Sequence, residues 1–182
     1  FFGVSLGAGY HGVTGNRALL WEGGFPMVNF NFHYWFDFNF ALQFGFSTAP
    51  HNYLSSNNSG VVKVNLFRVG LDLKYYFDTT NLSAPISFAS PYLLFGGGGY
   101  TKTESTADDT TSSTSDQDST FGFNVGAGLE FPISHKKTYF ALEGKLHWVS
   151  YEDENSRKFV TRGIESLSGY FYSVTGNFLF TW

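Results

Sequence analysis

The segment Val28 to Ser47 alternates between two kinds of side chain without a break, and no other feature restricts the fold as strongly. Its even positions, Val28, Phe30, Phe32, Tyr34, Phe36, Phe38, Phe40, Leu42, Phe44 and Phe46, are all apolar. Its odd positions, Asn29, Asn31, His33, Asp37, Asn39, Ala41, Gln43, Gly45 and Ser47, are small or polar, with Trp35 the exception. A period of two sends alternate side chains to opposite faces of a β-strand. One strand of that length would run about 60 Å, whereas ~9–11 tilted residues cross a bilayer. The segment must fold back. A three-residue turn at Trp35-Phe36-Asp37 would pair Tyr34 with Phe38 and leave the parity intact, so a hairpin is predicted.

The pattern recurs along the chain. Phe2, Val4, Leu6, Ala8 and Tyr10 alternate with glycines and Ser5, and Val69, Leu71, Leu73, Tyr75 and Phe77 alternate with Arg68, Gly70, Asp72 and Lys74. Phe121 to Phe131, Phe140 to Trp148 and Tyr170 to Trp182 continue it. Val62, Val64 and Leu66 have the opposite parity to Val69 onward, which predicts a β-bulge near Phe67. Gly96 to Gly99 hide the parity of the strand 90–101. The expected strands are 1–10, 26–34, 38–49, 61–77, 90–101, 120–132, 138–150 and 168–182, in one domain over 1–182. The expected fold class is all-β, an eight-stranded antiparallel up-and-down transmembrane β-barrel. Connections after odd strands are long and polar, those after even strands mostly shorter. In an outer-membrane barrel that places the loops outside the cell and both termini in the periplasm.

Which face points outward decides between a membrane barrel and a soluble one. Here one face carries phenylalanine on successive strands, while the other is mostly Gly, Ala, Ser and Asn. Small residues fit the tight interior of an eight-stranded barrel, and rows of Phe, Leu and Val fit lipid. Charged residues are 14% of the chain and aromatics 20%, against roughly 25% charged in soluble domains. Tyr10, Tyr34, Tyr75, Tyr92, Tyr100, Trp148, Tyr170 and Trp182 lie near strand ends, where aromatic girdles belong. A net charge of −4 without a basic stripe argues against nucleic acid as a partner. The absence of Cys excludes disulfides and thiolate chemistry. No basic-then-apolar leader opens the sequence, as expected of a processed chain.

The segments Phe121-Gly-Phe-Asn-Val-Gly-Ala-Gly-Leu-Glu-Phe131, Pro91-Tyr-Leu-Leu-Phe-Gly-Gly-Gly-Gly-Tyr100 and Gly176-Asn-Phe-Leu-Phe-Thr-Trp182 resemble the OmpA-type family of small outer-membrane barrels. The resemblance implies residence in the outer membrane of a Gram-negative bacterium, among lipid and lipopolysaccharide. It also implies that Phe178, Phe180 and Trp182 present a C-terminal signal to the barrel-assembly machinery. That family ends the signal in Phe, so Trp182 departs from it. The motifs report architecture and carry no activity.

The predicted inward charges are Arg68, Asp72, Lys74, Glu130, Glu143 and Lys145, with His147 beside them. The six ions sum to zero, as a water-poor core requires; a gated ion path made by exchange of partners is the alternative reading. His147 and Ser150 are three apart and so point to opposite faces of a strand, which disfavours the Ser–His arrangement of lipid A deacylases. His33 reads as a hydrogen-bonded lumen residue. His11, His51 and His135 are expected in loops and turns without metal-ligand spacing. The segment 102–119 reads as a mobile acidic loop, with Asp108, Asp109, Asp116 and Asp118 as candidate ligands for Ca²⁺ or contacts for a basic partner, although no EF-hand spacing is present. The glycines lack any phosphate-loop context and read as room for bulky neighbours.

No cofactor is implied. Three functions remain open: a structural or surface-interaction barrel acting through its extracellular loops on a partner the sequence does not identify, a narrow ion or small-solute pore with a charged gate, and a lipid A-modifying enzyme. Loop 11–25, with Trp21 and Phe25, and loop 151–167 are the expected contact surfaces under the first, which the balanced, filled lumen favours.

Overall fold

The computed structural model describes residues 1–55, 60–79, 88–106, 115–134 and 137–182. Eight strands follow in order: β1 Phe2–Val13, β2 Gly24–Trp35, β3 Phe40–Leu54, β4 Val61–Tyr76, β5 Ser90–Thr106, β6 Ser115–Ser134, β7 Thr138–Val149 and β8 Phe171–Thr181. Each pairs antiparallel with its neighbour, and β1 closes on β8 from Gly3↔Thr181 to Val13↔Phe171. Closure leaves no edge within the ring, so the backbone polar groups find partners where water is absent. The connections at one end join β1–β2, β3–β4, β5–β6 and β7–β8. We call this the loop end and the other, which holds both chain termini, the turn end.

The hairpin predicted within 28–47 forms with a different turn. Trp35 pairs with Ala41, Tyr34 with Leu42 and Phe32 with Phe44. The reversal therefore occupies Phe36–Asn39, and Tyr34 does not pair with Phe38. The parity survives because the true register is also even. Asn39 fixes the turn, donating its backbone N–H to the Asp37 carboxylate and its side-chain amide to the Tyr76 carbonyl.

The sides fall as the alternation requires. Phe30, Phe32, Phe44, Phe95, Phe123 and Phe178 are exposed on the outer wall, while Asn29, Asn31, Gln43, Asp72, Asn124 and Asn177 are buried against the axis. The glycines give the interior its space: a Cβ on Gly70 would fall 2.5–2.6 Å from the Arg68 guanidinium, and one on Gly96 would collide with the Asp72 carboxylate. The parity of β5, concealed by its glycines, places Tyr92, Leu94, Tyr100 and Lys102 inward and Leu93 and Phe95 outward.

No bulge exists at Phe67. Strand β4 stays in unbroken register with β3 and β5, and its burial alternates from Val61 to Tyr76. What inverts is the surroundings. Turnward of Leu66, outward residues such as Phe67 and Leu71 are apolar and inward ones such as Arg68 and Asp72 are polar. Loopward, the outward residues Asn65 and Lys63 are polar, with Val61 at the strand's end the exception, and the inward ones are Leu66, Val64 and Val62. The strand leaves hydrocarbon there, so water meets its outer face and a protein core its inner face. The observed register shifts lie elsewhere, at Gly9/His11 and Pro132/Ser134.

Strand lengths follow the same logic. β1, β2, β7 and β8 have 11 or 12 residues, close to one crossing. β3, β4, β5 and β6 have 15, 16, 17 and 20. These four therefore project as a sheet at the loop end. The segment 102–119, expected as a loop, is mostly this sheet: β5 reaches Thr106 and β6 starts at Ser115.

Candidate functional site

The six predicted lumen ions all face the axis and join into one ladder. At the turn end, Lys74 donates to Glu130 at 2.8 Å, and the Tyr76 hydroxyl donates to the same oxygen at 2.9 Å. The Lys74 ammonium also sits 3.8 Å from the Tyr92 ring centroid and 3.9 Å from Glu143. Glu143 accepts from Tyr92 at 2.8 Å and pairs with Lys145 at 2.9 Å. Lys145 reaches on to Asp72 at 2.9 Å, and Arg68 holds the other oxygen of Asp72 at 2.6 Å. Asn124 bridges this pair, accepting from Arg68 and donating to Asp72. Three cations face three anions, each at most 8% exposed. Such ions are tolerated when every one is paired and hydrogen-bonded.

Above the ladder, Arg68 donates through Nε to the Tyr100 hydroxyl at 3.1 Å, and that hydroxyl is hydrogen-bonded to His147 Nδ1 at 2.9 Å. The other ring nitrogen, His147 Nε2, is hydrogen-bonded to the Ser173 hydroxyl at 3.1 Å. A second histidine system lies beside it. The Glu22 carbonyl can only accept, so His51 donates through Nδ1, and its Nε2 accepts from His11 Nδ1 at 2.9 Å. The His11 ring lies 5.9 Å from that of His147. His11 and His51 are thus strand residues brought together across the barrel, not scattered loop residues. Among the described residues, no group of three or more His, Cys, Asp or Glu is arranged to hold a metal ion. His33, also inward, bonds Ser5 at 2.9 Å and stacks on Trp35.

The loop end is closed by an apolar cap that the sequence pattern does not announce. Trp21, Tyr53, Val62, Val64, Leu66, Tyr100, Val149, Tyr151, Phe159, Ile164, Leu167 and Phe171 form one buried cluster. Trp21, expected as a surface contact, is 5% exposed and stacks on Tyr53; an indole at this level is worth more inside the cap than in water. Phe25 lies on the outer wall of β2 and remains 71% exposed. Loop 151–167 turns inward through two short 3-10 turns, Glu152–Asn155 and Val160–Arg162, and supplies four of the cap residues.

One carboxylate ties the cap together. Asp153 accepts both guanidinium nitrogens of Arg17, at 2.9 and 3.2 Å, and pairs with the Lys102 ammonium from β5. Lys102 also reaches Glu104, which accepts from the Tyr53 hydroxyl. Arg17 is 2% exposed and lies over the Trp21 ring at 4.9 Å. Burial alone would raise the Asp153 carboxyl, but Arg17 and Lys102 outweigh it and hold it below the usual carboxylate range.

Of the predicted girdle, Tyr10, Tyr34, Tyr75, Trp148, Tyr170 and Trp182 stand on the outer wall. Tyr92 and Tyr100 do not. Both are buried inward, because the β5 parity turns them to the lumen, where Tyr92 donates to Glu143 and Tyr100 is hydrogen-bonded to His147. Phe178, Phe180 and Trp182 face outward at the β8 end of the barrel. Asp116 and Asp118 lie on β6, and Asp118 accepts the Glu152 backbone N–H at 2.8 Å. Asp108, Asp109 and His135 fall outside the described residues. Ser150 is exposed while His147 is buried, and the hydroxyl His147 does meet, Ser173, is sealed within the lumen.

The interior leaves little free space. Two voids within it among the described residues, one around His11, Arg68 and His147 and one around His33, Gln43 and Glu143, measure about 20 and 10 Å³, and a single water needs ~10–15 Å³. A wider recess of about 400 Å³ opens at the turn end between Trp35, Tyr76, Tyr139 and Glu130. Tyr76 and Tyr92, packed with Trp35, Ala41 and Leu94, close the lumen above it.

A model of the outer membrane protein beta-barrel domain matches residues 1–158. No curated protein matches the chain in sequence. Among solved structures, Neisserial surface protein A superposes with a TM-score of 0.68 at 12% identity, covering 100% of this chain and 97% of that one. A major outer membrane protein from Thermus thermophilus gives 0.67 at 11% identity, covering 98% and 97%. Ail, the attachment invasion locus protein of Yersinia pestis, gives 0.56 at 12% identity, covering 98% and 99%. At these identities the likeness is one of fold.

Proposed function

Because the chain belongs to the outer membrane protein beta-barrel domain family, we propose that it is a surface-interaction barrel, acting through its loop end rather than through its lumen. One observation carries the reading: the neutral ion ladder and the apolar cap fill the interior in series, leaving voids of about 20 and 10 Å³. A barrel closed in this way has its variable chemistry only on its exposed ends. The longer polar connections and the projecting sheet favour the loop end as the extracellular one, with both termini in the periplasm. Lipopolysaccharide then surrounds the outer phenylalanine wall, and β8 with Trp182 beside it offers Phe178, Phe180 and Trp182 to the assembly machinery.

The pore reading requires the ladder and the cap to open together. The enzyme reading requires a nucleophile that lipid can reach, and Ser173 is not one. Planar-bilayer recording of the purified, folded protein tests the proposal. The expected record shows no stable discrete conductance; reproducible unitary steps would overturn it.

A further inference from the structure

The projecting sheet has two rims, and they differ. At the β3 rim, Pro50 sits in the strand, and Glu22 bridges to Asn52, donating its backbone N–H to the Asn52 carbonyl at 2.8 Å. That rim is blocked, by devices that proteins use against unwanted pairing. The β6 rim is open. β5 lines one side of β6 as far as Ser105↔Ser115, but β7 lines the other only from Gly122↔Val149. Ser115 to Phe121 therefore have no strand neighbour on that side among the described residues. The loop after β7 approaches through a side chain, Glu152 N–H to the Asp118 carboxylate, and makes no ladder bond there.

We propose that this edge of β6 receives an extended segment of a partner protein, bearing Lys or Arg at alternate positions, as an added strand. Edge addition supplies main-chain hydrogen bonds, and alternate side chains supply selectivity. The chemistry around the rim selects the occupant. Asp116 and Glu152 are exposed, Asp118 and Glu154 half-buried, and all four are anionic. A second copy pairing edge to edge would set Asp116 and Asp118 against their own kind, and like charges directly opposite destabilise a ladder. A basic strand meets the same carboxylates as partners. Gln117 and Ser119, outward on this stretch, are polar, so the edge lies in water above the apolar wall. The inference rests on the surface-interaction reading and narrows it to one rim, yet the two fail separately: conductance would overturn the reading, and loss of peptide binding only the rim.

The test uses the full chain in lipid nanodiscs with three labelled decapeptides: alternating Lys-Thr, alternating Glu-Thr, and alternating Lys-Thr N-methylated at every peptide bond. The N-methylated peptide keeps its charge and loses its hydrogen-bond donors. The Lys-Thr peptide is expected to bind saturably and to slow hydrogen exchange at 116–120, while the other two do not bind. Asp116→Lys with Asp118→Lys is expected to weaken binding about tenfold or more. Equal binding of the N-methylated peptide would mean plain charge attraction and would overturn the proposal. So would exchange protection elsewhere, or no saturable binding up to about 1 mM. The peptide comparison on the unaltered chain decides the matter even if the double variant does not fold.

Discussion

Asp72→Asn is the substitution that most sharply tests the lumen chemistry. Asp72 is fully buried and accepts from Arg68 at 2.6 Å, Lys145 at 2.9 Å and Asn124 at 3.0 Å. The change keeps the shape and removes the charge. Lys145 retains Glu143 at 2.9 Å, but Arg68 keeps only neutral partners, Tyr100 and Asn124. Removing one partner of a buried pair costs about 3–5 kcal/mol, or roughly 10²–10⁴ in the folding equilibrium. Arg68→Met with Asp72→Asn restores neutrality, since Lys74 and Lys145 then face Glu130 and Glu143. A double-mutant cycle should show a coupling of about 0.5–3 kcal/mol in the restoring direction. Reversible urea unfolding in phospholipid vesicles measures both numbers. A cost below about 1 kcal/mol for the single variant, typical of a solvent-screened pair, would show that water fills the lumen. So would a double variant no more stable than the single one.

Further outcomes follow from the same structure. The Asp153 carboxyl is held low in the folded protein by Arg17 and Lys102, so its contribution is present above the ordinary carboxylate range. It is lost as the pH falls through and below about 4. Protease cleavage within 151–167 should therefore rise on acidification below that range while the strands stay protected; cleavage unchanged at about pH 3 would contradict it. On the outer wall, Phe44→Arg should cost about 2–4 kcal/mol and Asn65→Arg about 0–1, read by the same vesicle titration, and equal costs would remove the boundary drawn at Leu66. Lipid A from cells expressing the protein should keep its acyl pattern by mass spectrometry, and a new acylation state would revive the enzyme reading.

The strand count, the sidedness and the six lumen ions are legible in the sequence because they depend on a period of two, which is local. The inward ions need only the parity of the strand that carries them. Tyr92 and Tyr100 escape that logic because Gly96 to Gly99 carry no side chains from which to read a parity. The cap leaves a signal, the reversal at Val62, Val64 and Leu66, which has two physical causes: a bulge that flips the strand, or a boundary that flips its surroundings. Sequence alone does not separate these. The Arg17–Asp153 pair spans 136 residues and the His11–His51 pair 40, and neither has a local pattern to announce it. Trp21 reads as a contact because an aromatic in a polar loop looks alike whether it folds over a core or faces outward.

Strand β4 keeps one register while its surroundings exchange, and a nitroxide scan along that strand reads this directly. The chain has no cysteine to remove, so single cysteines can be placed at each position from 61 to 76 in the lipid-reconstituted protein. Odd positions from 67 to 75 should be accessible to oxygen from the hydrocarbon, and odd positions from 61 to 65 to a water-soluble nickel chelate. Even positions should resist both throughout. An accessibility pattern that changes phase between 66 and 67, with even positions exposed above it, would mean a bulge, an outward-facing Val62, Val64 and Leu66, and no cap over the lumen.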